Sequence, residues 1–359
     1  MNSMTSRDRV LASFRHEEPD RVPRWCGAAQ EFWAKAKKHL KISEDESLRV
    51  RFGDDFRRVH AHFVNPERLS PEPGKERTPF GIEREGLGYG QPCTHPLASA
   101  TLRELHDYAW PDPSCVDVSD IRKNAGAWQG RYAVLGGSWS PFWHDAIDLV
   151  GMEELYYRMY DEPEFVDALL EHIVGFYEAS SRRIFDTARD LIDIFFIRND
   201  FGSQTRPLMG VEQFNRFMLP HLRRLINLGH DHGLLVQLHC CGGLEPLLPS
   251  LIDAGLDGVH AIQPCCHGMD LATLKQRYGG KILFNGAIDS QHVLIEGGSP
   301  EDVRQKTREV LRIMAPGGGY VAGASHDSIL EETPVENVLA MCDAIEEFGS
   351  YPIDKIIKS

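Results

Sequence analysis

The sequence predicts an α/β protein of the (β/α)8, or TIM-barrel, class, and three observations carry that expectation. From about residue 131, short apolar runs with Gly-rich or polar ends recur: RYAVLGGSW, LIDIFFIRNDFG, LLVQLHCCGG, LDGVHAIQP, KILFNGAID and GYVAGASHD. The segments between them are amphipathic and long enough to cross back over a parallel sheet. In VEQFNRFMLPHLRRLINLGHDHG, for example, Phe214, Phe217, Met218, Leu222 and Leu225 fall at helical spacing. Finally, the 359 residues suit eight β/α units with insertions. An open doubly wound sheet is the rival, but no strand leads into a G-x-G-x-x-G turn, and GGGY at 317–320 precedes a strand and reads as a helix-to-strand turn.

Taken in order, SRDRVLASFRHEEPDRVPRW gives a short amphipathic helix with apolar Val10, Leu11 and Phe14, a Pro-Asp turn, and a first strand at 22–27. Residues 65–115 differ: Pro, Gly and short alternating runs (NPERLSPEPG, FGIEREGLGYG, YAWPDPS) indicate hairpins and loops inserted into the barrel, a segment able to cover a substrate. The expectation is a single barrel domain over 1–359 with an N-terminal helical extension and this insertion.

Composition narrows the function. A formal charge of -14 with no Lys/Arg-rich block argues against nucleic acid as a partner. No basic-then-apolar N-terminal run and no stretch of 18 apolar residues occurs, so the expectation is a cytoplasmic protein without a membrane span. Eight cysteines, two pairs of them vicinal, do not form the spaced framework of a small secreted domain, and reduced thiols are expected.

Alternation along LLVQLHCC puts Gln237, His239 and Cys241 on the face toward the barrel axis, with Cys240 under the helices. Active sites of such barrels lie at the C-terminal mouth, so His239 and Cys241 offer two metal ligands pointing one way; a hydrogen-bonded core histidine beside a buried thiol is the plainer alternative. For a third ligand, the same alternation in YVAGASHDSI puts Tyr320, Ala322, Ala324 and His326 on one face and brings His326 to the mouth. Cys265, Cys266 and His267 in QPCCHGMD are rivals, or ordinary loop residues. Other polar residues at strand ends are Asp200, Gln204, Gln263, Asn285 and Asp289, with Trp139, Trp143 and His144 as an aromatic group; together they fit a substrate pocket. Asp289 and Asp200 equally suit helix caps. Asp54 and Asp55 read as a solvated turn.

The chain resembles the uroporphyrinogen decarboxylase superfamily nearly end to end. The resemblance is carried by PDRVP at 19–23, DFRRV at 55–59, YAWPDP at 108–113, NDFGSQ at 199–204, HGLLVQLHCCGGLEPLLPSLIDAGLDGVHAIQP, FNGAID, GGGYVAGASHD and TPVENV. That superfamily is a (β/α)8 barrel holding both porphyrinogen decarboxylases and zinc-dependent methyltransferases that act with corrinoid proteins. The decarboxylases carry an N-terminal R-Q-A-G-R segment whose arginines hold substrate carboxylates; the matching VPRWCGAAQEFWAK lacks it. The methyltransferase branch carries H-x-C-G, matched by His239, Cys240, Cys241 and Gly242. Its coenzyme M enzymes take a third zinc ligand, a cysteine, from the last strand, where this chain has Ala324-Ser325-His326.

The resemblance therefore implies a zinc-dependent methyltransferase that moves a methyl group between a small methylated compound, such as a methoxylated one, and a corrinoid (cobalamin) carried by a separate protein. No D-x-H-x-x-G corrinoid-binding segment occurs in the chain. The site expected is zinc on His239, Cys241 and His326, with Asp200 and Asp289 catalytic and Trp139, Trp143, Gln204, Gln263, Asn285 and Asp55 contacting substrate. With one thiolate fewer than the coenzyme M enzymes, this zinc is expected to be the stronger Lewis acid. A homodimer is implied by resemblance alone. The alternatives are a metal-free decarboxylase-like enzyme using Asp55 or Asp200, with Arg24, Arg57, Arg58 and Arg198 holding carboxylates, and a non-catalytic barrel that binds a small ligand.

Overall fold

Short runs of apolar residues, each ended by glycine or a polar group, make strands of two to six residues. The computed structural model describes residues 4–64, 76–86, 90–296 and 298–353. Eight parallel strands, β1 (Arg24–Trp25), β2 (Phe56–Arg58), β3 (Ala133–Gly136), β4 (Ile194–Arg198), β5 (Leu235–His239), β6 (Gly258–Ile262), β7 (Leu283–Ile288) and β8 (Tyr320–Ala324), lie in the order β1-β8-β7-β6-β5-β4-β3-β2. The first strand is shorter than the 22–27 expected.

Among the described residues no ladder joins β1 to β2, and Asp55 closes that seam. Its backbone N–H donates to Arg24 O at 3.0 Å, and its Oδ2 accepts the Arg24 N–H at 2.8 Å. The wholly buried carboxylate also accepts from Arg9 at 2.9 Å and Arg21 at 2.8 Å. Arg9 belongs to α1 (Ser6–Phe14), whose N-cap Thr5 accepts the Asp8 N–H. This helix lies across the N-terminal end of the barrel: Phe14 packs on Gly258 at the start of β6, and Arg7 pairs with Asp193 just before β4. Val10 and Phe14 join Trp25, Phe56, Leu135, Phe196, Leu283 and Val321 to fill the interior.

Two expectations are corrected here. Asp54 and Asp55 are buried, not a solvated turn; Asp54 accepts from Arg49 at 3.0 Å and from the Phe56 N–H at 3.2 Å. Asp55 also sits at the floor, the end away from the mouth, with both oxygens committed to arginine, so it has no access to a substrate.

The helices pack outside as their apolar stripes require. α2 (Pro163–Ala188) buries Phe165, Leu169, Ile173, Phe176 and Phe185, with Phe185 against Phe195 of β4 and Phe176 against Phe63 and Phe80. After β4, the residues expected as one helix form Val211–Gln213, a π-type turn at Phe214–Met218, and α3 (Leu219–Asp231). Pro220 accounts for the break: it brings no N–H to the carbonyl four residues earlier, and its ring crowds that carbonyl, so the turn widens. The five apolar residues expected on the inner face are all buried.

The insertion contains the expected hairpins. Glu76–Arg77, Glu83–Glu85 and Gln91–Pro92 form an antiparallel sheet, and His62–Phe63 pairs with Val116–Asp117 at its base. Residues 65–75 and 87–89 of that segment lie outside the described residues. Arg84 ties the insertion to Asp148 on the helix Phe142–Val150. On that helix Asp145 accepts the Tyr177 hydroxyl at 2.5 Å, and burial pushes its carboxyl up to about 6. Among the described residues no helix is long and apolar enough to cross a membrane.

Two tests follow from this frame. Asp55→Ala leaves buried guanidinium groups without their carboxylate and should lower unfolding stability by about 3–5 kcal/mol in urea titrations; a loss below about 1 kcal/mol would remove Asp55 as the closing element. For Asp145 the folded value of about 6 lies above the ordinary 3.8, so its contribution is unfavourable above pH 6 and vanishes below about pH 4. Asp145→Asn removes that titration, and its stability relative to wild type should rise by up to about 3 kcal/mol between pH 4 and pH 7.

Candidate metal centre

β4 and β5 end side by side, Arg198 paired with His239, so the residues that follow each strand meet at the C-terminal mouth. Gln237 and His239 are fully buried inside the barrel, and Cys240 turns into the outer core, where its sulfur accepts the Phe201 N–H at 3.3 Å. Asp200 Oδ1 accepts the Cys241 N–H at 2.8 Å and lies 3.4 Å from His239 Nε2. Cys241 Sγ lies 3.3 Å from the same nitrogen. Tetrahedral zinc with bonds of about 2.0–2.3 Å separates its ligand atoms by about 3.3–3.6 Å. The carboxylate and the thiol each stand at that spacing from the imidazole nitrogen, and all three donor atoms lie within 4.8 Å of one another, so the donor set fits zinc in its chemistry and in its two edges to His239.

Glycine makes this approach feasible. Gly242 has φ +90°, and a Cβ on it would come within 2.5 Å of the Gly202 backbone; one on Gly202 would come within 2.6 Å of Cys241 O. The loops after β4 and β5 thus touch backbone to backbone, which explains the glycine directly after the cysteine. Gln263 braces the same corner by accepting the Gly242 N–H on Oε1 at 2.6 Å, and Gln204 O accepts the His267 N–H at 3.0 Å while the Gln204 side chain is exposed.

The other edge of the His239 ring faces inward. Its Nδ1 lies 3.0 Å from His260 Nδ1 and 3.8 Å from Asp327 Oδ1. A metal on Nε2 leaves the His239 proton on Nδ1, and a bare His260 Nδ1 accepts it. The electrostatics agree: burial, then the neighbouring His239 charge, push His260 well down and keep it neutral. For His239, burial acts downward but is outweighed by Asp327, Cys241 and Asp200, which drive it well up. Burial would raise Asp200, yet its hydrogen bonds from His144 and His239 hold it far below the usual carboxylate range. The carboxylates that favour positive charge on His239 present the same field to a metal cation.

His326 is not part of this group. Val321, not Tyr320, faces the barrel interior; Tyr320 packs outward and donates its hydroxyl to Gly286 O at 2.8 Å. The alternation read from the sequence was one residue out of phase, which exchanges the two faces of β8. The strand ends at Ala324, and the turn beyond it carries Asp327 toward His239 and to Arg198 at 3.4 Å. His326 Nδ1 instead lies 2.9 Å from Ser328 O. Among the described residues, the ligand atoms gathered within 4.8 Å of one another at this point are those of Asp200, His239 and Cys241.

The remaining expected residues divide. Trp139 stands at the mouth with the guanidinium carbons of Arg58 and Arg198 at 4.5 and 5.5 Å from its ring centre, and His60 beside it is driven down to about 4 by burial and by Arg58. Trp143 is fully buried, its ring edge-on to Tyr156. Asn285 is fully buried on the face of β7 that carries the interior residue Leu283, and its side-chain oxygen and nitrogen have no hydrogen-bond partner among the described residues. Asp289 is a helix cap, its Oδ1 accepting the N–H groups of Gln291 and His292 at 2.9 and 3.0 Å. Arg24 and Arg57 pair with Glu346 and Glu46. His260 and Asp327 were not anticipated; His260 stands directly opposite His239 in the strand register, and a polar residue in an otherwise apolar strand was the available sign.

The family model described as uroporphyrinogen decarboxylase (URO-D) matches residues 101–348. The chain belongs to the URO-D family. Within reach of this URO-D chain is the methylcobamide:CoM methyltransferase MtbA of Methanosarcina mazei, 21% identical over a 376-residue alignment that covers 97% of this chain and 99% of that one. The MtbA of Methanosarcina acetivorans is 22% identical over 193 residues, and there the chain spans about half the length of the relative, 53% of each. A solved structure of a methyltransferase from Methanosarcina mazei superposes with a TM-score of 0.66 at 18% identity, covering 96% and 99% of the two chains, and so shares the fold.

If His260 fixes the His239 ring, His260→Ala should weaken zinc binding at the mouth by about 10- to 100-fold while leaving the thiolate ligation spectrum of a cobalt-substituted protein intact. Competition with a metal chelator measures the first, and unchanged affinity would remove His260 from the centre.

Proposed function

We propose that this protein is a zinc-dependent methyltransferase that moves a methyl group between a small methylated compound and a corrinoid carried by a separate protein. The observation that carries the reading is the convergence of Asp200, His239 and Cys241 donor atoms at the mouth of a URO-D barrel. The similarity to MtbA over nearly the whole length supports the reaction class. The chain has no D-x-H-x-x-G segment of its own, so the corrinoid comes from a partner docked at the mouth. A homodimer is part of the proposal by family likeness.

Asp200, His239 and Cys241 would hold the zinc, which when bound supplies Lewis acidity to the heteroatom that gives or receives the methyl group. With Asp200 in place of His326, two donors are anionic, so the set matches a His-Cys-Cys site in charge. His144 orients Asp200, its Nε2 lying 3.2 Å from Oδ2, and His260 with Asp327 orients His239. Trp139 gives the substrate an apolar wall, and Arg58 and Arg198 set positive charge behind it. Three of the residues named for the metal-free decarboxylase alternative lie elsewhere, Asp55 in the floor and Arg24 and Arg57 on Glu346 and Glu46, while Asp200, Arg58 and Arg198 stand at the mouth; the donor set at His239 favours the metal reading.

The test measures zinc content beside methyl transfer to a reduced corrinoid protein from a panel of methoxylated and methylamine donors. His239→Ala, Cys241→Ser and Asp200→Ala should each lose one equivalent of zinc and reduce transfer at least about 100-fold, whereas His326→Ala keeps the metal. Folded wild type that takes up no zinc at the mouth and transfers no methyl group would sink the proposal; zinc lost in His326→Ala but retained in Asp200→Ala would restore the His2Cys set.

A further inference from the structure

The vicinal pair Cys265-Cys266 takes no part in the centre just described. It lies in the loop after β6, on the rim of the same mouth. Cys266 is buried, with its sulfur 3.7 Å from Gln263 Oε1, the same oxygen that accepts the Gly242 N–H. Cys265 is exposed and turns the other way, toward the loop after β7. There Asp289 spends Oδ1 on capping two backbone N–H groups, while Oδ2 lies 3.0 Å from Nδ1 of exposed His292. The ligand atoms of Cys265, Asp289 and His292 all lie within 4.8 Å of one another.

We propose that Cys265, Asp289 and His292 form a second, rim metal site that takes a thiophilic divalent cation such as zinc. One thiol, one carboxylate oxygen and one imidazole nitrogen supply three donors of the types zinc prefers, leaving a fourth position open to water or a ligand. The spacing exceeds a tetrahedral edge by at most about 1.5 Å, which rotation of the two exposed side chains covers without backbone movement. The ion replaces the Asp289–His292 contact with two metal bonds and adds a third from a different loop. It therefore ties the β6 loop, which braces Gly242, to the β7 loop. The donors are distinct from those of the mouth centre, so this site stands or falls independently of the proposed methyl transfer.

The experiment uses full-length protein carrying His239→Ala and Cys241→Ser, so that the mouth centre is disabled, titrated with cobalt(II) and then zinc. One equivalent of cobalt should bind with a thiolate-to-cobalt charge-transfer absorption. Adding Cys265→Ser should abolish that absorption, while Asp289→Asn, which keeps a capping oxygen, and His292→Ala should each weaken binding by at least about tenfold. Zinc should also protect Cys265 from alkylation, read by peptide mass spectrometry. Circular dichroism establishes that each variant is folded; Cys265 and His292 are exposed, so the core is untouched. Absence of the thiolate band, its persistence in Cys265→Ser, or an alkylation rate indifferent to zinc each overturns the rim site.

Discussion

The ion-paired carboxylate of Asp55 is the constraint on which the barrel rests. A (β/α)8 sheet must close on itself, and here Asp55 carries the hydrogen bonds to the backbone of β1 through its own backbone and side chain together, with the Trp25 and Phe56 rings packed across the same seam. Burying a carboxylate is costly unless its oxygens are filled, and Arg9, Arg21 and the Arg24 N–H fill them. Because Arg9 comes from α1, the same charge fixes the helix that plugs the floor.

His239 lies toward the other end, the mouth. A fully buried histidine in an apolar barrel ought to be neutral, yet carboxylates bracket it: Asp200 at Nε2 and Asp327 near Nδ1. Arg198 stands behind Asp327, and neutral His260 fills the space between. The ring is thus held by groups on β4, β6 and the end of β8 at once, so it cannot turn without breaking several contacts. Pre-orientation of this kind matters more for a metal ligand than for a core residue, since a ligand must present one nitrogen at a fixed angle.

Much of this was legible before the structure. The recurrence of apolar run, polar end and helical pattern carries the barrel, and strict alternation placed Gln237 and His239 inside and Cys240 outside. Failures came where local pattern is silent. In GGGYVAGASHD small residues fill both faces of β8, so nothing in their polarity sets the phase, and packing of Tyr320 against the outer core decided it. Asp55 looks like any turn residue because the arginines that neutralise it come from positions 9 and 21, a contact only the folded chain creates. Trp143 failed similarly: an aromatic residue near a strand end is as good for core as for pocket, and helix Phe142–Val150 turned it into the core.

The phase of β8 has a chemical consequence. A third donor from the last strand must leave the barrel wall on the inner face close to its end, but here the chain breaks out of the strand after Ala324, and the residue carried toward His239 is Asp327. Asp327 meets the histidine on the Nδ1 edge, opposite Cys241, so it acts as a partner to the ring and stands apart from the Nε2 donors. The Nε2 edge meets Asp200 instead, which follows the neighbouring strand β4 and is held by the Cys241 N–H. Asp200 and the Cys241 thiol thus lie on the same side of the imidazole, both against Nε2. Two glycines make this feasible, because Asp200 and Cys241 converge only if Gly202 and Gly242 let their loops touch. The centre is therefore set less by which residue occupies a family position than by which backbones can come close enough to place a carboxylate and a thiol around one nitrogen.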